Sequence, residues 1–191
     1  LPEERPIQGA GSGKDLAPIS VSVYTRLGHF RRCIEALSAN DLAAGSVLYI
    51  FSDAARPGDE EAVRAVREYA ETIVGFSEIV LVFQTANDYL KNMRDARELP
   101  IQRFGKVIRL EDDIVTAPGF LAFVNGALEF YEGVGKVLNV TGYTPPIRLP
   151  QDYDKDFFVL PRPCAWGMGY RREMLDVIST PISQEQYGLY E

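Results

Sequence analysis

The sequence predicts an α/β fold: a mainly parallel sheet flanked by helices, with a small irregular region toward the C-terminus. Two observations carry this. Short β-branched and aromatic runs alternate with longer stretches of helical spacing from Pro18 onward. The chain also has 191 residues with 46% hydrophobic and 25% charged side chains, the balance of one ordinary globular domain. Strands that alternate with helices pack as a parallel sheet with helical layers, and ligands bind such sheets at the C-terminal strand edge.

Each element follows in turn. Ile19 to Tyr24 alternates apolar and small polar residues, a first strand. Phe30, Cys33, Ile34 and Leu37 have helical spacing, so a helix runs from about His29 to Ala39. Val47 to Phe51 is the second strand. Acidic residues after Gly58 suit a helix N-terminus, with Val63, Val66, Tyr69, Ala70 and Ile73 as its inner stripe. Ile79 to Phe83 is the third strand. Thr85 to Leu99 reads as a helix with Tyr89, Leu90 and Met93 inward, ending at Pro100. Lys106 to Leu110 is the fourth strand. Pro118 opens a helix over Phe120 to Tyr131, packed through Phe120, Phe123, Val124, Ala127, Leu128 and Tyr131. Val137 to Val140 and Phe157 to Leu160 read as short strands, residues 144–163 as Pro-rich and irregular, and Arg171 to Ser179 as a last helix.

Residues 1–17 read as a flexible leader before a domain over 18–191. Gly9 to Lys14 superficially mimics a phosphate loop, but Gln8 and Asp15 stand at the wrong positions and the segment precedes the first strand. The net charge of −7 argues against a nucleic-acid coat. No apolar run approaches the roughly 20 residues of a membrane span. Cys33 and Cys164 are too few for a disulfide framework and fit a reducing compartment, so the expected location is cytoplasmic, alone or within a larger or membrane-associated protein. One histidine, His29, excludes a multi-histidine metal site and reads as a cap or surface group.

Three strand ends carry the polar chemistry: Tyr24-Thr25-Arg26, Ser52-Asp53 and Glu111-Asp112-Asp113. Three consecutive carboxylates at a sheet rim repel one another unless a counter-ion is present. Hard oxygen ligands select Mg²⁺ or Mn²⁺. The triplet equally reads as a solvated turn that caps the next helix through Thr116 or Asp113. Asp53 reads also as turn chemistry and Arg26 as a surface arginine. Together they outline a nucleotide pocket, with Asp53 for a base or ribose donor group and Arg26 for an anion or base.

The ordered segments TRLGHFRRCIEAL, LYIFSDAARPGDEEAV and GKVIRLEDDIVTAPGFLAFVNGAL resemble nucleotide-sugar glycosyltransferases of the GT-A fold, as do VLNVTGYTPPI and FFVLPRPCAWGMGYRREML. The resemblance is to the N-acetylglucosaminyltransferase I type and bacterial sugar transferases similar to it. It implies that Asp113 binds a divalent metal, Mn²⁺ or Mg²⁺. It places Glu111 and Asp112 toward the donor sugar and ribose, and Arg26 and Asp53 at the uracil, with Thr25 nearby. The implied reaction is metal-dependent transfer of a sugar, with GlcNAc the leading candidate, from a UDP-sugar to a saccharide-type acceptor with inversion. The family's general base lies beyond its Trp–Gly segment in an acidic, Trp-containing stretch that is missing here. Glu185 and Glu191 are candidates by position only, so the catalytic base is unassigned and the domain reads as incomplete at its C-terminus. A nucleotide contact between Phe83 and Phe104 would fall to Asn87 or Tyr89.

Trp166 reads either as a sugar-stacking platform, with Gly167 permitting close approach, or as core. Asp152, Asp154 and Asp156 mimic a calcium loop, but Phe157 and Pro163 occupy its essential glycine and glutamate positions. Asn139-Val140-Thr141 is a glycosylation sequon set in an expected buried strand. Two other readings stand beside the transferase: a catalytically incomplete nucleotide-sugar or glycan-binding domain, and a Mg²⁺-dependent phosphoryl-transfer domain.

Overall fold

The computed structural model describes residues 3–7, 16–155, 157–161 and 163–179. Among them seven strands form one sheet: β1 (Glu3–Ile7), β2 (Ile19–Val23), β3 (Val47–Ser52), β4 (Glu78–Phe83), β5 (Lys106–Glu111), β6 (Val140–Thr141) and β7 (Met168–Arg171). Five helices accompany them: α1 (Leu27–Ser38), α2 (Glu60–Ala70), α3 (Tyr89–Phe104), α4 (Phe120–Phe130) and α5 (Arg172–Ser179). The sheet order is β1-β4-β3-β2-β5-β7-β6. Strands β2 to β5 are mutually parallel, while β1 pairs antiparallel with β4 and β7 antiparallel with β5. This is the α/β architecture the sequence predicts.

The central strands are buried on both faces, which is why they read as near-continuous apolar runs. One face packs Ile19, Val21, Leu48, Ile50, Ile108 and Leu110 against the apolar stripes of α1, α2 and α4. The other packs Tyr49, Phe51, Val80 and Val82 against α3 through Ala96 and Leu99. Asn40 ties the end of α1 to the start of α4. Its carboxamide donates to the Ala36 carbonyl at 2.9 Å and to Thr116 Oγ1 at 3.0 Å, and it accepts from the Leu121 N–H at 3.0 Å.

Several expectations are corrected. Residues 3–7, within the segment read as a leader, form the edge strand β1 against β4. Helix α3 starts later than expected, capped by Asp88, whose side chain accepts the Lys91 N–H at 2.9 Å. Its packed face is Asn92, Ala96, Pro100 and Ile101, while Tyr89 and Leu90 in the first turn are exposed. Phe123 is also exposed, with Leu121 buried on α4 in its stead. Of the strand expected over Val137 to Val140 only Val140 pairs, together with Thr141, and Phe157 to Leu160 is irregular.

Strand β7 escapes the sequence reading because it is short and carries glycine. Gly169 is required by packing: a Cβ there would meet Val124 Cγ1 at 2.6 Å and Leu128 Cδ1 at 3.0 Å. Gly167, at φ +68°, would press on the Phe120 ring at 3.1 Å. These glycines make room for α4.

Helix α3 does not stop at Pro100; it runs on to Phe104. A proline inside a helix deprives the carbonyl four residues earlier of its donor. That carbonyl belongs to Ala96, and the Ser20 hydroxyl of β2 donates to it at 2.6 Å across the buried interface. A side chain of the sheet thus replaces the lost backbone bond. Ser20→Ala is therefore expected to cost about 1–3 kcal/mol in urea unfolding, the penalty of a buried orphan carbonyl. In a Pro100→Ala background, where the helix regains its own N–H, the same substitution should cost clearly less; equal costs in both backgrounds would contradict the coupling.

Candidate functional site

The C-terminal ends of β2, β3 and β5 meet the first turn of α3 around a cavity of about 280 Å³. Its walls include Ser22, Arg26, Asp53, Arg56, Asn92 and Asp112. A second concavity, of about 360 Å³, lies between α2 and Phe83 and contains none of the acidic triplet.

The triplet follows directly on β5. Asp112 is 4% exposed, and Arg26 grips it from the start of α1. The guanidinium Nε donates to Asp112 Oδ2 at 3.3 Å, and Nη2 donates to Asp112 Oδ1. Nη1 reaches Asp113 Oδ2 at 3.0 Å. Burial pushes the Asp112 carboxyl above its ordinary pKa, against the opposing pull of Arg26. Glu111 is half-buried and also lines the cavity. The triplet's repulsion is thus relieved by an arginine of the same chain. Arg26 sits against the acids and lines the same cavity as Asp53.

Asp53 is also buried, and the β4–α3 loop closes onto it. Its Oδ1 accepts the Ala54 N–H at 2.9 Å and the Asp88 N–H at 3.1 Å, while Oδ2 accepts from Asn87 at 3.3 Å. Asn87 donates also to the Ala54 carbonyl at 2.7 Å and accepts from Arg56 Nε at 3.0 Å. Tyr24 braces the far side, donating to Asp59 at 2.7 Å and accepting the Arg56 N–H at 2.9 Å. Asp53 therefore organises the loop that walls the cavity.

Arg67 is the residue sequence reasoning missed. Carbonyls at the C-terminal edge of a parallel sheet need donors; that of Ser52 accepts the Gln84 N–H at 2.9 Å. Arg67 Nη2 donates to the carbonyls of Ser52 at 3.3 Å, Asp53 at 3.1 Å and Gln84 at 2.9 Å, and Nε donates to Ser52 Oγ at 3.2 Å. Its guanidinium lies 4.8 Å from the Phe83 ring centroid, and burial lowers its pKa. The signal was available: Arg67 follows Val63 by four residues and precedes Ala70 by three, on the apolar stripe of α2.

The other expected residues divide between the cavity and the rest of the chain. Thr25 and Trp166 are not in its walls. Trp166 is 52% exposed and meets Tyr143 edge to face at 4.5 Å. Gly167 is buried under α4. Asn87 and Tyr89, the alternatives for a nucleotide contact, both line the cavity. His29 is exposed on α1 beside Arg32. Glu185, Glu191 and Asp156 lie outside the described residues.

Hard divalent cations are commonly held by one or two carboxylates plus phosphate oxygens of a substrate. Asp113 suits such a role: its side chain is 40% exposed and one of its oxygens is engaged with Arg26. A closed, all-protein site is a different matter. Among the described residues no three His, Cys, Asp or Glu side chains gather to hold a metal. The donor set fits a metal shared with a phosphorylated ligand.

No protein-family model matches the chain, and no curated protein matches it in sequence. The fold is similar to that of the mannosyltransferase PcManGT from Pyrobaculum calidifontis, solved in complex with GDP-Man and Mn²⁺. The TM-score is 0.58 at 16% identity, covering 85% of this chain and 46% of that one. The chain thus spans about half the length of that neighbour and shares its fold over that part.

Two predictions follow from the local chemistry. Arg67→Met should destabilise the protein by at least about 3 kcal/mol in urea unfolding, because three strand-end carbonyls lose a charged donor. Cys33 packs behind the triplet, and burial first, then Asp112 and Asp113, pushes its thiol from 9.0 to about 12. Between those values the unfolded chain loses the proton first, so this group lowers stability as pH rises. The slope is about 1.4 kcal/mol per pH unit for one proton. Comparing denaturation of wild type and Cys33→Ala from pH 9 upward should show a shallower decline in the variant.

Proposed function

We propose that this chain is the donor-binding part of a metal-dependent glycosyltransferase. One observation carries the reading: in a glycosyltransferase fold, the buried acidic end of β5 and the loop held by Asp53 wall one cavity at the sheet's C-terminal edge. A nucleoside-diphosphate sugar would enter there. Asp113 would hold a divalent cation together with the diphosphate oxygens. When bound, such a cation offsets the charge developing on the departing nucleoside diphosphate. Glu111 and Asp112 would border the sugar and ribose, and Arg56 offers a cation at the cavity wall. Arg26 would keep Asp112 ionised and fix where the acids point. The donor is a UDP-sugar, with GlcNAc first among candidates, and the stereochemistry inverting, on the sequence resemblance. The structural neighbour was solved with GDP-Man. The acceptor is a saccharide or glycoconjugate, and Mn²⁺ or Mg²⁺ would serve.

A second reading has its own support. Arg26 already pairs with two of the three carboxylates, Asp112 and Asp113. That arrangement suits a nucleotide-sugar-binding domain without transfer activity.

Titration calorimetry separates these. Both readings expect UDP or GDP to bind in a Mn²⁺-dependent way, and Asp113→Ala should weaken that binding at least about tenfold, the loss of a charge-assisted contact. Persistence of metal-dependent binding in the variant would remove Asp113 from the site. Release of free sugar or transfer to a saccharide marks the enzyme; binding without turnover marks the binding domain.

A further inference from the structure

The floor of the cavity holds two polar side chains that the fold leaves unanswered. Ser22 is 9% exposed and Asn92 is 3% exposed, and both line the cavity. Among the described residues Ser22 Oγ and Asn92 Oδ1 are buried with no hydrogen-bond partner. Burying a hydroxyl or amide without a partner is costly, and folded proteins rarely leave such groups alone.

Their placement follows from register. Ser20 and Ser22 stand on the same face of β2, two residues apart, and Asn92 and Ala96 stand one turn apart on α3. In the deeper layer Ser20 Oγ closes onto the Ala96 carbonyl at 2.6 Å. In the next layer, nearer the C-terminal edge, Ser22 and Asn92 do not bond to each other. The sheet and α3 thus meet through a closed polar contact below and an open one where the cavity begins.

The surroundings define what fits. Val23 and Met93 add apolar wall beside the open pair, and the cavity's charged groups belong to Arg26, Asp53, Arg56, Glu111 and Asp112. A carboxamide and a hydroxyl with apolar neighbours suit a neutral, flat group with hydrogen-bonding edges, not a phosphate. Resting on the nucleotide-sugar reading above, we propose that Asn92 and Ser22 read the edge of the donor nucleobase and set which base the protein prefers. Asn92 accepts from a ring or exocyclic N–H of the base, and Ser22 supplies a second polar contact at the same edge.

The test is titration calorimetry of the full chain with Mn²⁺ against UDP, GDP, CDP, ADP and pyrophosphate. Wild type should favour one base at least about tenfold over another, and Asn92→Ala should bring that ratio to within about threefold, the scale of one lost hydrogen bond. Pyrophosphate affinity, which involves no base, should stay unchanged. Ser22→Ala supplies the second arm, because it removes an orphan hydroxyl. Its Tm should be equal to or above that of wild type while affinity for the preferred nucleotide falls. Base preference retained in a folded Asn92→Ala overturns the inference and leaves the nucleotide-sugar reading standing. So does a Ser22→Ala protein with lowered Tm and unchanged binding, which would make the hydroxyl structural. A variant that alters only the affinity difference between a nucleotide-sugar and its free nucleotide overturns it too, since the floor would then hold the sugar. Wild type that binds no nucleoside diphosphate overturns the nucleotide-sugar reading itself, and the inference with it.

Discussion

The strand-end carbonyls of a parallel sheet gather at one edge, where each must find a hydrogen-bond donor. The rest of this structure is arranged around that constraint. At β3 and β4 the answer is Arg67, which reaches from α2 to the carbonyls of Ser52, Asp53 and Gln84. At the end of β3 Asp53 then takes backbone N–H groups from the loops on either side. Past β5 the acids are met by Arg26 from α1. Each solution draws its side chain from a neighbouring element, so the edge is held by the helices that surround it. Binding groups gain from such support, because geometry set by packed elements is firmer than geometry set by a loop alone.

Charge at this edge is therefore largely balanced from within the chain. The opening expectation was that three carboxylates would call for a metal. The arginine changes the weight of that argument: Asp112 has a partner with both oxygens engaged, and Asp113 is the carboxylate left facing solvent. A cation shared with a phosphorylated ligand remains consistent with this donor set, and the ligand's own oxygens become as important as the protein's.

Periodicity made the central strands and most helices legible, since their burial is a property of the residues themselves. The acidic triplet and Asp53 were legible as strand-end polar groups. What stayed hidden depended on partners distant in sequence. Pro100 announces a helix end unless Ser20 is known to lie against Ala96. Strand β1 reads as a leader unless β4 offers a free edge. Asn92 points inward because α3 packs on the sheet through Asn92, Ala96, Pro100 and Ile101, a face chosen by contacts distant in sequence. Arg26 could be read as a ligand contact because its spacing from Asp112, 86 residues on, carries no local signal.

Gly169 gives α4 its seat. With no Cβ in the way, Val124 and Leu128 rest against the β7 backbone, and the helix comes as near the sheet as atomic contact permits. Contact of this kind works as a mechanical stop: it fixes distance by repulsion, which is steep, where hydrophobic attraction alone would leave play. The chain runs from Asp113 into α4 within a few residues, and Asn40 clamps that junction from the other side. A glycine on the strand beside β5 thus sets how closely α4 seats, and a methyl group added there would be felt as a displaced helix.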